Sequence, residues 1–174
     1  MLAMEAWDAI RARRNVRQYT DRPIDPDHLD QILEAGRRSP SSSNQQRWDF
    51  VVCTDRWQLQ ELSRVWQYAG YVASSAATIA LLAPQADDPR TSASIDYDLG
   101  QVTISMMLAA ADLGIGGGHA SVRDQELARR ILGHPRDRRC AYLIALGYPA
   151  GRPLAPLRAP KRRPFDEVVH RGHW

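Results

Sequence analysis

Cysteine is nearly absent from this chain of 174 residues, with Cys53 and Cys140 far apart and each inside an apolar, strand-like run. No CxxC accompanies them and no histidine stands at metal-ligand spacing, which leaves a disulfide framework or a zinc site without ligands and predicts two buried free thiols. No apolar run approaches the roughly 20 residues of a membrane span. The opening "MLAMEAWDAI" carries Glu5 and Asp8 where a signal peptide would be basic and then uniformly apolar. A cytoplasmic location without a membrane partner is therefore expected. Side-chain catalysis is equally short of material: there is no GxSxG elbow, no Walker sequence and no evident pair of carboxylates. Of the five histidines only His170 and His173 have a helix-like spacing, and they lie in a terminal segment where solvated side chains are usual. "LGIGGGHA" also fails as a dinucleotide fingerprint, because its glycines follow a helix rather than a strand and miss the GxGxxG spacing. A chain so short of reactive side chains is expected to borrow its chemistry from a bound group.

What is present suits one globular domain spanning residues 1–174, with 44% hydrophobic and 25% charged residues. The net charge of +3 is too small to imply nucleic acid by itself, but its distribution is uneven. "RARRNVR" places Arg11, Arg13, Arg14 and Arg17 within seven positions, and "RAPKRR" places Arg158, Lys161, Arg162 and Arg163 within six near the other end. Guanidinium groups around a helix end can converge on one phosphate from several directions, which favours a compact anion over a long one.

Trp7 and Ile10 predict a short helix ending near Asn15. Asp25-Pro26 predicts an N-cap and first-turn proline for a helix carrying Leu29, Ile32 and Leu33. "WDFVVCT", "AATIALLAP" and "CAYLIALGYP" read as strands, and Asp55 as the cap of a helix through Leu59 and Leu62. The longest helix is expected from Ser92 to Leu113, its second half apolar on nearly every side and hence enclosed, by its own domain or by another subunit. The glycine run after it reads as a C-cap and turn, with the amides of Gly118 to Ser121 free to donate at the start of a helix that Ser121 opens. Leu127, Ile131 and Leu132 form that helix's inner face and Gly133 ends it. Residues 152–174, rich in proline and arginine, read as an extended arm. Helices interleave with three or four strands without strict alternation, so the class is α+β.

Four segments together resemble the nitroreductase family: "RRNVRQY", "SPSSSNQQRWDF", "LGIGGGHAS" and "KRRPFDEVVH", in that order along the chain. The resemblance implies a central, mostly antiparallel sheet flanked by helices, with the long helix at a homodimer interface. It implies FMN as cofactor and NADH or NADPH as hydride donor. Flavin N5 would pass electrons to nitroaromatic, quinone or similar small-molecule acceptors by a ping-pong mechanism. Carried onto this sequence, it assigns Arg13, Arg14, Lys161 and Arg163 to the FMN phosphate, with Asn15 beside them, and Arg17 to the pyrimidine edge. Pro40, Ser41, Ser42 and Asn44 would arrive from the partner subunit, and Gly118, His119, Ala120 and Ser121 would line the flavin, the last two donating backbone N–H groups near N5. No side-chain acid and no metal is required, although Arg17 and His119 are placed to tune the reaction.

Three departures accompany the resemblance. Asn15 stands for the usual Ser, Arg47 for the usual Pro before Trp48, and His119 where Trp or Pro is common; His119 is either a tuning group or plain packing in a turn. The connection "PQADDPRTSAS" is short, which predicts an open pocket. Two other functions stay open at this point: a flavin-fragmenting or dehydrogenating enzyme on the same fold, and a basic nucleic-acid or anion-binding module without redox chemistry.

Overall fold

The computed structural model describes residues 4–174, and its framework is a four-stranded, fully antiparallel sheet in the order β1-β2-β4-β3. The strands are β1 (Asp49–Cys53), β2 (Ala77–Pro84), β3 (Gly116–Ser121) and β4 (Arg138–Gly147). The helices are α1 (Ala6–Ala12), α2 (Pro26–Arg37), α3 (Arg56–Leu62), α4 (Pro89–Asp112) and α5 (Gln125–Leu132). β2 and β4 occupy the centre and are buried on both faces, so they read as continuous apolar runs rather than alternating ones.

Side chains leave the sheet alternately and build two cores. Cys53, Ala80, Leu82, Cys140 and Leu143 pack with Leu59, Leu62 and Ala128 under α3 and α5. Ile79, Leu81, Ile144 and Leu146 pack with Ile32, Ile95, Leu99, Val102 and Met106 under α2 and α4. Burial raises the Cys53 thiol to about 11 and the Cys140 thiol to about 12, so both stay protonated in the first core. Asp25, Asp55 and Asp88 each accept a backbone N–H in the first turn of α2, α3 and α4, as an N-cap must.

The glycine-rich segment corrects the expectation of a turn leading into a helix. Gly114, with φ +72°, makes the turn after α4, and then Gly116–Ser121 extends as the edge strand β3 paired to β4. Three glycines lower the strand propensity that would have marked it. Their absent side chains have a use: a Cβ on Gly116 would stand 2.6 Å from Val16 Cγ2, and one on Gly118 2.6 Å from the Val16 carbonyl oxygen. The segment after α1 can therefore lie directly along β3, bridged at Asn15–Gly117 and held by Val16 N–H to the Gly117 carbonyl at 2.9 Å. Ser121 ends the strand instead of opening a helix, and Asp124 is the N-cap of α5, accepting from Leu127 N at 2.8 Å.

The long helix α4 is covered by its own chain on one side only, so of the two expected enclosures its own domain supplies just part. Ile95, Asp98, Leu99, Val102, Met106 and Ala110 form the buried stripe. On the opposite side Tyr97 is 73% exposed and Ile104 41% exposed. The arm from residue 152 onward contains no helix or strand beyond one short turn at Phe165–Glu167, and among the described residues no helix is long and apolar enough to cross a membrane.

Candidate active site

α1 ends at Ala12, so Arg13 caps it and residues 13–19 run extended along the sheet edge. This divides the basic cluster. Arg13 turns toward α4, donating to Asn15 Oδ1 at 3.2 Å and lying 4.0 Å from Met107 Sδ. Arg14 turns toward the start of the arm and donates to the Arg152 carbonyl at 2.5 Å; burial, and secondarily the Arg152 charge, lower its pKa. Arg17 places its guanidinium 5.5 Å above the Tyr71 ring, a cation–π contact.

Two clefts meet at Arg13. One, of about 700 Å3, lies between α1, α4 and the arm, and is lined by Trp7, Ile10, Arg13, Ile104, Arg158 and Arg162. Leu157 N–H donates to the Arg11 carbonyl at 3.2 Å and holds the arm there. The two basic clusters, from opposite ends of the chain, thus share one cavity. Within this single chain Arg158 and Arg162, rather than Lys161 and Arg163, line it; Arg163 pairs with Glu167 at 3.4 Å and Lys161 is exposed.

The second cleft, of about 320 Å3, opens between α4 and β3, with Arg13, Gly100, Thr103, Met107, His119 and Tyr142 around it. β2 passes into α4 through four residues, 85–88, so no inserted helix lies in that connection. Since the Gly117 carbonyl faces Val16, the alternation of an antiparallel strand turns the N–H groups of His119 and Ser121 to the open edge. Those of Gly118 and Ala120 turn into the ladder with β4. Of the two amides expected near flavin N5, Ser121's faces outward and Ala120's is spent on the sheet.

His119 is open to solvent on one side and backed by protein on the other. Partial burial lowers its pKa, and the charges of Arg13 and Arg17 lower it further, so the ring is neutral at pH 7. The folded state then binds fewer protons than the unfolded one just below the ordinary value of about 6.5, and His119 removes stability as pH falls through that window. We predict an NMR titration of His119 below the ordinary imidazole midpoint that moves upward in Arg13→Ala; an unmoved midpoint would refute the electrostatic part of this account.

Residues 40–46 form a turn on the α4 side of the sheet. Ser43, Asn44 and Gln46 all have positive φ, at 50°, 54° and 49°. Such backbone costs on the order of 1–3 kcal/mol per residue and persists only where its surroundings over-determine it. Pro40, Ser42 and Asn44 are exposed and Ser41 is half-buried, so the polar groups of this turn face outward from the chain. Among the described residues the side-chain hydrogen bonds that tie this turn to the rest of the chain go to Asp98 and Ser94, not to Arg17 or His119.

Sequence reasoning missed Tyr71 and Asp98. Tyr71 lies in the turn Gly70–Ser74, against Arg17 and within 3.0 Å of where a Gly118 Cβ would stand; its buried hydroxyl has no hydrogen-bond partner among the described residues, and no local pattern announced it. Asp98 had a legible signal, since Ile95, Asp98, Leu99 and Val102 share one helical face and place a carboxylate in the core.

The Nitroreductase family model matches residues 10–70, which hold both the basic segment and the strained turn. A protein of Archaeoglobus fulgidus, named as a candidate NADH dehydrogenase/NAD(P)H nitroreductase, is 32% identical over 154 residues, covering 83% of this chain and 86% of that one. The chain belongs to the nitroreductase family. Nitroreductase A of Vibrio parahaemolyticus, 26% identical, superposes with a TM-score of 0.84 over 99% of this chain and 77% of its own. The NADPH:FMN oxidoreductase of Vibrio harveyi, solved in complex with NAD+, is 25% identical, with a TM-score of 0.82 over 95% and 76% of the two chains. The nitroreductase fold thus accounts for the α+β architecture and for a strand where three glycines obscured one.

Proposed function

We propose that this nitroreductase-family chain is an FMN-dependent oxidoreductase that takes hydride from NADH or NADPH and reduces nitroaromatic, quinone or similar acceptors by a ping-pong mechanism, as a single domain in a homodimer. The observation that carries this reading is the shared cavity in which Arg13 meets Arg158 and Arg162 of the arm. Arg11 also lines it but is paired with Asp8 at 3.1 Å, and the three other arginines around one cavity suit a single compact phosphate carrying about −1.5 to −2 charges.

The remaining residues fit the polar edge of a flat heteroaromatic group. Arg17 supplies a fixed cation, the buried Tyr71 hydroxyl has an unused donor beside it, and Ser121 offers an open-edge N–H. When bound, FMN supplies the two-electron carrier that no side chain here provides. The chain's own contribution is to hold the phosphate, to set a positive charge where negative charge develops, and to leave the α4–β3 cleft open for planar substrates. His119, neutral at pH 7, serves that cleft as a hydrogen-bonding wall. Arg14, Lys161 and Arg163 join the phosphate site if the arm is drawn in by a second protomer, whose residues 40–44 would close the opposite side.

The test is purification without added flavin. A yellow protein that oxidises NADH or NADPH with a quinone acceptor, with parallel double-reciprocal plots, is expected. A colourless protein that neither binds FMN nor consumes either nucleotide overturns the reading, and steeply salt-dependent binding to DNA or RNA would mark a nucleic-acid module in its place.

A further inference from the structure

One carboxylate grips the strained turn from both of its ends. Asp98 is 2% exposed on the buried stripe of α4. Its two oxygens accept the backbone N–H of Ser42 at 3.1 and 3.3 Å, immediately before the first left-handed residue. Its Oδ2 also accepts from Arg47 Nη2 at 3.4 Å, immediately after the last. The same Nη2 donates to Ser94 Oγ at 2.8 Å, one turn earlier on α4. Between these points the turn is held mainly by itself: Ser41 Oγ accepts from Gln46 N at 2.9 Å, and Gln46 Nε2 donates to Asn44 Oδ1 at 3.1 Å.

We infer that Arg47 and Asp98 form an ionic latch that fixes residues 41–46 with Ser43, Asn44 and Gln46 in the left-handed conformation, and that both are positioning residues for FMN binding. The inference rests on the reading above that this turn closes on a bound FMN. Arg47 is a costly choice for mere packing, because its buried Nε has no partner among the described residues. A guanidinium held between a carboxylate and a hydroxyl, however, keeps one orientation, and so does the backbone attached to it. Ordering of the turn is then completed before ligand arrives, and binding does not have to supply it.

The experiment compares wild type, Arg47→Met, Asp98→Asn and the double variant. FMN dissociation constants are read from flavin fluorescence, and hydrogen exchange is read at the Ser42 amide. Each single change is expected to weaken FMN binding about tenfold, with the double variant no weaker than the worse single, as for two groups acting as one unit. Ser42 should exchange slowly in wild type and quickly in each variant. Folded single variants with wild-type FMN affinity, or fully additive losses, overturn the latch. Should Asp98→Asn fail to fold, Arg47→Met and Ser94→Ala retain the buried carboxylate and carry the same comparison. If wild-type protein binds no FMN, the proposed function fails by itself, and exchange at Ser42 in Arg47→Met still decides whether the latch exists.

Discussion

Arg17→Ala is expected to slow reduction of the bound flavin by nicotinamide about a hundredfold, the usual order for deleting one preorganised electrostatic donor. Arg17 is exposed, yet it is not free to wander, because it lies over the Tyr71 ring and projects from a segment bridged to β3. Its charge also reaches His119, one of whose pKa-lowering influences it is. A cation fixed there needs no reorganisation when negative charge appears next to it. The proposed function puts phosphate anchoring elsewhere, in the cavity lined by Arg13, Arg158 and Arg162, so the FMN dissociation constant should change little. Anaerobic stopped-flow on the flavin absorbance, in single turnover, separates the two effects. Arg17→Lys should fall between, since an ammonium keeps the charge and loses the planar contact with Tyr71. Equal reduction rates in wild type and Arg17→Ala would remove Arg17 from the chemistry.

Local chemistry announced much of this fold. Asp25, Asp55 and the apolar strands through Val51, Ile79 and Ile144 form the elements their patterns predict, because a cap or a buried strand is decided within a few residues. β3 was hidden because its glycines are explained by what they approach, Val16, and that neighbour is about a hundred positions away. The same holds at the site. The arginine clusters were visible as composition, and their convergence required the arm to fold back across α1. Arg47 was visible as a departure, but its meaning depends on Asp98, 51 positions later.

Ile104→Asp is expected to give a folded monomer that has lost FMN. The uncovered stripe of α4 continues into Trp7, which is 66% exposed, and Ile10, while the arm ends in Trp174, 96% exposed. The proposed homodimer would cover this apolar surface, as contiguous exposed apolar patches suit an interface. In a two-fold dimer the stripe meets its own copy, so one substitution enters the contact twice. Two carboxylates facing each other without partners, each costing several kcal/mol to bury, should raise the dimer dissociation constant at least about a thousandfold. The monomer's fold should survive, because Ile104 lies opposite the buried face through which α4 holds the sheet. Sedimentation, circular dichroism and flavin titration on the same sample give the three readouts. Because Ile104 also lines the cavity assigned to the phosphate, Tyr97→Asp, on the same exposed side of α4 but outside both clefts, is read in parallel, and loss of FMN with loss of the dimer in both variants follows if the turn at residues 40–44 completes the neighbour's site. A monomeric variant that keeps wild-type FMN affinity would place the whole flavin site inside one chain, and a wild-type monomer would leave the stripe of α4 without the partner assigned to it.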